Sequence, residues 1–234
     1  ILFDGDSTVF GFKFFTADNK GIETNNLYFN PAGAELNYTA DSSPASVIMR
    51  LNAGPDSYIE YKYTLEPGKY SVAFDVAFKN LNGVLPANQN SISLDWKMYI
   101  PQQEKGRTNE ETYTTIKFKH HEEDVEGLKT RTKKDIDLLE IPTKLSWVAF
   151  HDQFFSSVII AENYFNSGAI QSERLPASKK YMKFFTTELS LPVNNFSDQS
   201  IGFKFYFGPN HISTLKKEGN DLDKIVFLGK NIIG

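Results

Sequence analysis

The sequence predicts an all-β protein, a large antiparallel sandwich with a short C-terminal helix. Three observations carry this. Period-two alternation of apolar and polar residues recurs along most of the chain, and such runs mark half-buried strands. Aromatic residues make up 14 %, with 20 Phe and 11 Tyr among 234 residues, and aromatic side chains favour pleated sheets. Helical periodicity is confined to a single short stretch near the end. About a dozen strands at short spacing, with no internal repeat, imply one sandwich over residues 1–208 and a C-terminal helical or linker segment over 209–234.

The elements follow in chain order. Residues 9–15 alternate, with Phe10, Phe12 and Phe14 on one face. Asn30-Pro31-Ala32-Gly33 is a turn. Residues 35–39 and 46–52 are short strand candidates. In 58–65, Ile59, Tyr61, Tyr63 and Leu65 alternate with polar partners. Glu66-Pro67-Gly68-Lys69 is a turn, and Tyr70, Val72, Phe74, Val76 and Phe78 alternate again, so the unit is an antiparallel hairpin with one buried face. Residues 80–90 form a loop. Ile92, Leu94, Trp96, Met98 and Ile100 define a strand that stops at Pro101. Residues 102–111 read as a polar loop, 113–120 as a strand with Ile116 and Phe118 inward, and 121–137 as a solvated charged hairpin with 135–141 as its returning strand.

The most apolar run is 144–161, KLSWVAFHDQFFSSVIIA. It is shorter than a membrane span and holds His151, Asp152 and Gln153 at its middle. Its Trp, Phe, Val and Ile content favours two buried strands, 145–150 and 154–160, at the centre of the fold. Residues 162–177 read as loop with an edge strand, 181–191 as a strand, and Ile201, Phe203, Phe205 and Phe207 as a last alternation. Pro209 is placed at the first helical position, before a helix over 210–218 that ends at Gly219. Residues 222–228 are a final apolar run.

Composition excludes several chemistries. The net charge is −4 with an isoelectric point near 5.6, so no basic patch suits nucleic acid. Cysteine is absent, which removes disulfides, thiolate catalysis and Cys-based metal sites. His120-His121-Glu122-Glu123-Asp124 has metal-binding residue types. However, adjacent strand residues face opposite sides of a sheet, and the cluster runs on into other charges, as in a solvated turn. His151-Asp152 reads as a polar corner between strands, and His211 as exposed. Phosphate-loop, nucleophile-elbow and HExxH motifs are absent, so no catalytic, cofactor or metal residue is assigned. Asn37-Tyr38-Thr39 and Asn195-Phe196-Ser197 match the glycosylation triplet. The chain opens on Ile1 within sequence that already looks structured, and it closes on apolar Ile232-Ile233-Gly234. It is therefore expected to derive from a longer protein.

At Trp147 a resemblance appears. Ser146-Trp147-Val148-Ala149, then Gln153-Phe154-Phe155 and an apolar strand, resembles a tract of the periplasmic domain of YidC-type membrane protein insertases. Tyr206-Phe207-Gly208-Pro209 resembles the family's Y-x-G-P segment. As in that family, it is followed by a short helix with Leu215, the run 222–228 and Gly229. The Asn- and Lys-rich, Phe-heavy composition is similar to a Bacteroidetes version. The resemblance implies a large antiparallel β-super-sandwich related to galactose mutarotase and a position on the periplasmic side of a Gram-negative inner membrane, between two membrane helices of a multi-pass protein. It also implies a non-catalytic role without cofactors. The partners it implies are Sec translocon accessory subunits of the SecDF type and nascent membrane proteins. The surface expected to meet them is Pro209, Ile212, Leu215, Leu222, Ile225 and Leu228 with the adjoining sheet edge. The alternative is a mutarotase-like carbohydrate-active or carbohydrate-binding sandwich, which needs a His–Glu pair or exposed aromatics in a cleft.

Overall fold

A computed structural model describes residues 7–33, 38–129, 134–177, 180–194, 196 and 198–226. The strands are β1 (Thr8–Phe15), β2 (Gly21–Glu23), β3 (Asn30–Pro31), β4 (Ala45–Asn52), β5 (Tyr58–Leu65), β6 (Ser71–Lys79) and β7 (Ser91–Pro101). After helix α1 (Arg107–Tyr113) come β8 (Thr115–His120), β9 (Val125–Gly127), β10 (Ile136–Ile141), β11 (Leu145–His151), β12 (Phe155–Phe165), β13 (Ser167–Arg174), β14 (Tyr181–Pro192) and β15 (Asp198–Pro209). Helix α2 (Ile212–Glu218) and a 3-10 turn (Leu222–Ile225) close the described chain.

Two antiparallel sheets result. The six-stranded sheet has the order β10-β13-β14-β7-β1-β2, and the nine-stranded sheet β3-β4-β5-β6-β15-β12-β11-β8-β9. Their inner faces bury one large core. Phe74 is its aromatic hub. The Phe74 ring stacks on Tyr63 at 4.6 Å and lies 5.5 Å from Phe10 and 5.8 Å from Phe203, so both sheets meet on it. β5 and β6 form the expected antiparallel hairpin, in the register Tyr58↔Lys79 to Leu65↔Val72. Its turn places Gly68 at φ 67°, the left-handed position of a type II turn after Pro67.

The all-β class and most strand positions agree with the sequence reading, and several local assignments change. Residues 162–174 are not loop. β12 continues to Phe165, and β13 pairs with both β10 and β14. Its polar outward residues had hidden a strand whose Gly168 and Ile170 face the core. The polar loop after Pro101 contains α1, held by buried Glu110, whose carboxylate accepts the N–H of Gln103 and of Glu104. β10 does not return to the charged hairpin; it joins β13 in the other sheet. Pro209 ends β15, paired with Phe155, and the helix starts at Ile212. The candidate strand 35–39 lies largely outside the described residues, and so do Asn37, Asn195 and Ser197 of the glycosylation triplets.

Candidate functional site

The nine-stranded sheet is apolar on both faces at its centre. Along β11, Val148 and Phe150 point into the main core, whereas Trp147 and Ala149 point outward. Val158, Ile160 and Tyr206 from β12 and β15 share that outer face. An outward apolar face needs a cover, and the C-terminal segment supplies it. Leu215 of α2 and Leu222 and Ile225 of the 3-10 turn close over these residues with no remaining exposure.

The segment is fixed at both ends and along its length. Asn210 starts it. Its N–H donates to the Phe154 carbonyl (2.7 Å), its side-chain amide donates to the Asp152 carbonyl (2.7 Å), and its Oδ1 accepts from Ser156 Oγ (2.7 Å). Gly219, at φ 74°, ends α2 as the sequence predicts, and Lys216 and Lys217 stand in the last turn, where cations favour the helix dipole. Asn220 and Asp221 then adopt left-handed backbone angles that swing the chain back over the sheet. Trp147 Nε1 donates to the Asn220 carbonyl (2.8 Å), Lys204 Nζ to the Glu218 carbonyl (3.1 Å), and Lys117 Nζ to the Ile225 carbonyl. Lys119 pairs with Asp221 at 3.5 Å. Lys117 is buried beneath the cover, and this burial pushes its ammonium down to about 8.

The motif Tyr206-Phe207-Gly208-Pro209 acquires a physical reason here. The Tyr206 ring folds back over Gly208 so closely that a Cβ there would stand 2.6 Å from the ring, and its hydroxyl donates to the Pro209 carbonyl (2.7 Å). The bare backbone of Gly208 is what lets the ring lie flat under the start of the segment.

The six residues expected to meet a partner divide by burial. Leu215, Leu222 and Ile225 are fully covered by the sheet, Pro209 and Ile212 are half-buried, and Leu228 lies outside the described residues. The outward surface is made by the residues between them: His211, Ser213, Lys216, Lys217 and Lys224 are exposed. Sequence reasoning missed Lys117 and Lys204, which anchor the segment from the sheet. Both sit at outward strand positions where a lysine normally faces water, so nothing local distinguishes them.

His151 lies in a buried polar knot. Its Nδ1 is 3.0 Å from Ser156 Oγ and 3.2 Å from Asn210 Nδ2. Burial, then the nearby Lys117 charge, hold the imidazole down to about 3, so it is neutral at physiological pH. Asp152 accepts from Thr114 Oγ1 and the Gln153 N–H, both at 2.7 Å, while burial raises its carboxyl. The Ser156 hydroxyl is 1 % exposed and donates to Asn210, so it does not face a substrate. Thr114, His151, Asp152, Ser156 and Asn210 thus join the end of α1, the β11–β12 hairpin and the start of the C-terminal segment. His120 meets Thr143 Oγ1 (2.7 Å) and His121 meets Ser146 Oγ (3.3 Å); among the described residues no cluster of three His, Cys, Asp or Glu is placed to hold a metal.

A separate groove of about 1160 Å³ lies on the outer side of the six-stranded sheet, lined in part by Lys13, Phe15, Glu23, Leu27, Gln89 and Glu188. Asp95 binds Lys13 (2.6 Å), and this hydrogen bond raises the lysine's pKa. Ser93 Oγ donates to Glu188 (2.7 Å). No histidine is among the lining residues described.

A family model for the YidC periplasmic domain matches residues 2–232. Proteins named membrane protein insertase YidC are similar over nearly the whole chain. The one from Parabacteroides distasonis is 36 % identical over 240 residues, covering 99 % of this chain and 36 % of the relative. That from Azobacteroides pseudotrichonymphae is 37 % identical over 236 residues, covering 97 % and 37 %. That from Bacteroides fragilis is 32 % identical over 240 residues, covering 100 % and 37 %. The chain thus spans little more than a third of the length of these relatives. Among solved structures, a galactose mutarotase related enzyme from Lactobacillus acidophilus aligns at TM-score 0.44 and 9 % identity, over 86 % of this chain and 82 % of that one. The α-N-acetylgalactosaminidase NagBb from Bifidobacterium bifidum aligns at 0.48 and 10 %, over 95 % and 34 %.

Proposed function

The chain belongs to the YidC periplasmic-domain family, and on that premise we propose that it is a binding and scaffolding module of a membrane protein insertase, without a catalytic centre of its own. It stands on the periplasmic side of the inner membrane. Residues 209–234 act as the link from the sandwich toward a membrane helix, and the outward surface of this segment, with the sheet edge beside it, meets Sec accessory subunits or emerging membrane proteins.

One observation supports this reading above the others. The C-terminal segment is laid on the sheet and bound by Trp147, Lys117 and Lys204, which keeps its outward residues in fixed positions. Leu215, Leu222 and Ile225 hold that surface from beneath, and Pro209 and Ile212 border it. A non-catalytic role fits the buried, neutral His151 and the hydrogen-bonded Ser156. The carbohydrate reading needs a His–Glu pair or exposed aromatics in a cleft. The groove offers Glu23 and Glu188 without a histidine, with the exposed Phe15 beside them. An aldose isomerisation assay and sugar titrations, both with no response, remove that reading.

The test is site-specific photo-cross-linking in cells, with the full-length insertase carrying the probe at Ser213 or Lys217. Tyr28, 91 % exposed, is the control position. Adducts with a Sec component or a substrate chain are expected at Ser213 and Lys217 and not at Tyr28. If both positions stay free of adducts while the insertase is active, the surface assignment is wrong.

A further inference from the structure

Both sheets are open, so four strands lie at their edges. Three of these are poor templates for another strand. β2 has three residues, β9 has three and ends in Gly127, and β3 has two, one of them Pro31. Short edges and proline are how sheets avoid edge pairing. β10 is different. It has six residues, IDLLEI, with no proline, glycine or lysine.

The pairing of β10 with β13 determines which of its backbone groups are free. The Arg174 N–H donates to the Asp135 carbonyl (2.7 Å), in line with the register that runs from Ile136↔Glu173 to Ile141↔Gly168. Bonded and unbonded pairs alternate along an antiparallel ladder. Asp137, Leu139 and Ile141 therefore direct their N–H and C=O groups to β13. Those of Ile136, Leu138 and Glu140 point to the open edge, where no described residue bonds them. The side chains are exposed as well. Ile136 is 53 % exposed, Leu138 57 % and Leu139 37 %, which puts three of the strand's four aliphatic side chains in water.

We propose that the β10 edge is a docking site for an extended polypeptide segment, which adds to the six-stranded sheet as a seventh strand. The edge supplies three consecutive donor–acceptor pairs for the incoming main chain. Ile136 and Leu138 supply apolar contacts to alternate side chains on one face. Glu140 stands exposed on the same face of the strand as Ile136 and Leu138, so the segment it fits carries Lys or Arg among its apolar residues. The occupant is thus an unfolded, basic, alternating apolar stretch of chain. The proposal rests on the edge geometry and not on the C-terminal surface, so either can fail alone.

The test measures amide hydrogen exchange of the 234-residue chain with and without a peptide of about ten residues that alternates valine with threonine and lysine. Saturating peptide should slow exchange at Ile136, Leu138 and Glu140 by about tenfold or more, and leave Asp137 and Leu139, which are already bonded, unchanged. Two further peptides are N-methylated on alternate residues, one in each phase. One phase should lose binding by about tenfold or more, because methylation removes the donors that face the edge. Leu138→Lys should also weaken binding without moving the unfolding midpoint, since the side chain is exposed. Unchanged exchange at the three amides overturns the proposal. So do equal affinities for both methylated peptides, which mean side-chain adhesion without strand addition. Protection that grows with protein concentration in the absence of peptide overturns it too, because a second copy then occupies the edge.

Discussion

Leu215→Ala is the most direct probe of the C-terminal cover. The side chain has no exposure and packs with Trp147, Ala149, Val158, Ile160 and Tyr206. Truncating a leucine at such a site costs about 2–5 kcal/mol, the transfer term plus the cavity left behind. The underlying sheet is rigid and cannot collapse into the gap, while α2 is a seven-residue surface helix that can shift, so about 3 kcal/mol is expected. With a urea slope of about 3 kcal/mol/M, the midpoint should fall by about 1 M. The assay is urea unfolding in a Trp96→Phe background, so that the fluorescence comes from Trp147 under the cover. Trp96 itself lies in the inter-sheet core, stacked on Phe150 at 4.0 Å, and is remote from the cover. Leu138→Ala is the control, since Leu138 is 57 % exposed and should change stability by less than about 0.5 kcal/mol. If Leu215→Ala moves the Trp147 transition no more than Leu138→Ala does, Leu215 is not packed on this face and the account of the cover fails.

Three further outcomes follow from the same geometry. Folded His151 is held at about 3, below its ordinary 6.5, so between these values the unfolded chain binds a proton that the folded chain refuses. That contribution to stability is complete above pH 6.5 and is lost as pH falls toward 3; the urea midpoint should therefore drop between pH 7 and 4, and drop less in His151→Gln. Equal drops in both proteins would assign the acid sensitivity elsewhere. Gly208→Ala should destabilise by about 1–3 kcal/mol because its Cβ meets the buried Tyr206 ring at 2.6 Å, and in a Tyr206→Ala background the same change should cost almost nothing. Additive losses would exclude the ring as the obstacle. Lys117, held at about 8, has released its proton in the folded state across pH 8 to 10.5 while the unfolded chain keeps it, so stability rises with pH over that window. Lys117→Met should reduce that rise, leaving the share of Lys183, also held at about 8. An unchanged rise would show that Lys117 is not buried in solution.

Strands with one dry and one wet face were legible from the sequence, since alternation alone identifies them. β1, β5, β6, β7 and β15 all follow the predicted phase. What depended on distant partners was not legible. β13 carries mostly polar residues on its outer face and turns only Gly168 and Ile170 into the core, a pattern close to that of a loop, and its place between β10 and β14 makes it a strand. α1 is held by Glu110, a charged residue whose burial no local rule foresees. The C-terminal apolar residues were recognised as functional candidates because a sandwich does not need them to close. Their burial was hidden because the surface they cover is contributed by strands about 50 to 100 residues earlier in the chain, Lys117 and Trp147 among them, and by the adjacent β15. The same fact explains the run 144–161. It is more apolar than a half-buried strand requires because β11 and β12 are dry on both faces, one against the core and one against α2 and the 3-10 turn.

The blocks that carry the family resemblance are far apart in the sequence yet form one packing unit. Trp147 comes from the first block, Tyr206 and Gly208 from the second, and Leu215 and Leu222 from the helix and the run after it. The four side chains among these five residues all lie in the outer cluster, and Gly208 makes room for the Tyr206 ring. Resemblance confined to the inter-sheet core would point only to a shared sandwich, because many apolar combinations fill such a core at the right volume. Here the residues of the resembling blocks named above fix a surface segment onto one particular face, using an indole N–H to a backbone carbonyl, a glycine that admits a ring, and leucines that fill what remains. A sandwich that only had to fold would not require that arrangement. A module that must present the chain after Pro209 in a defined place and direction would, which is the physical sense of the scaffolding role proposed above.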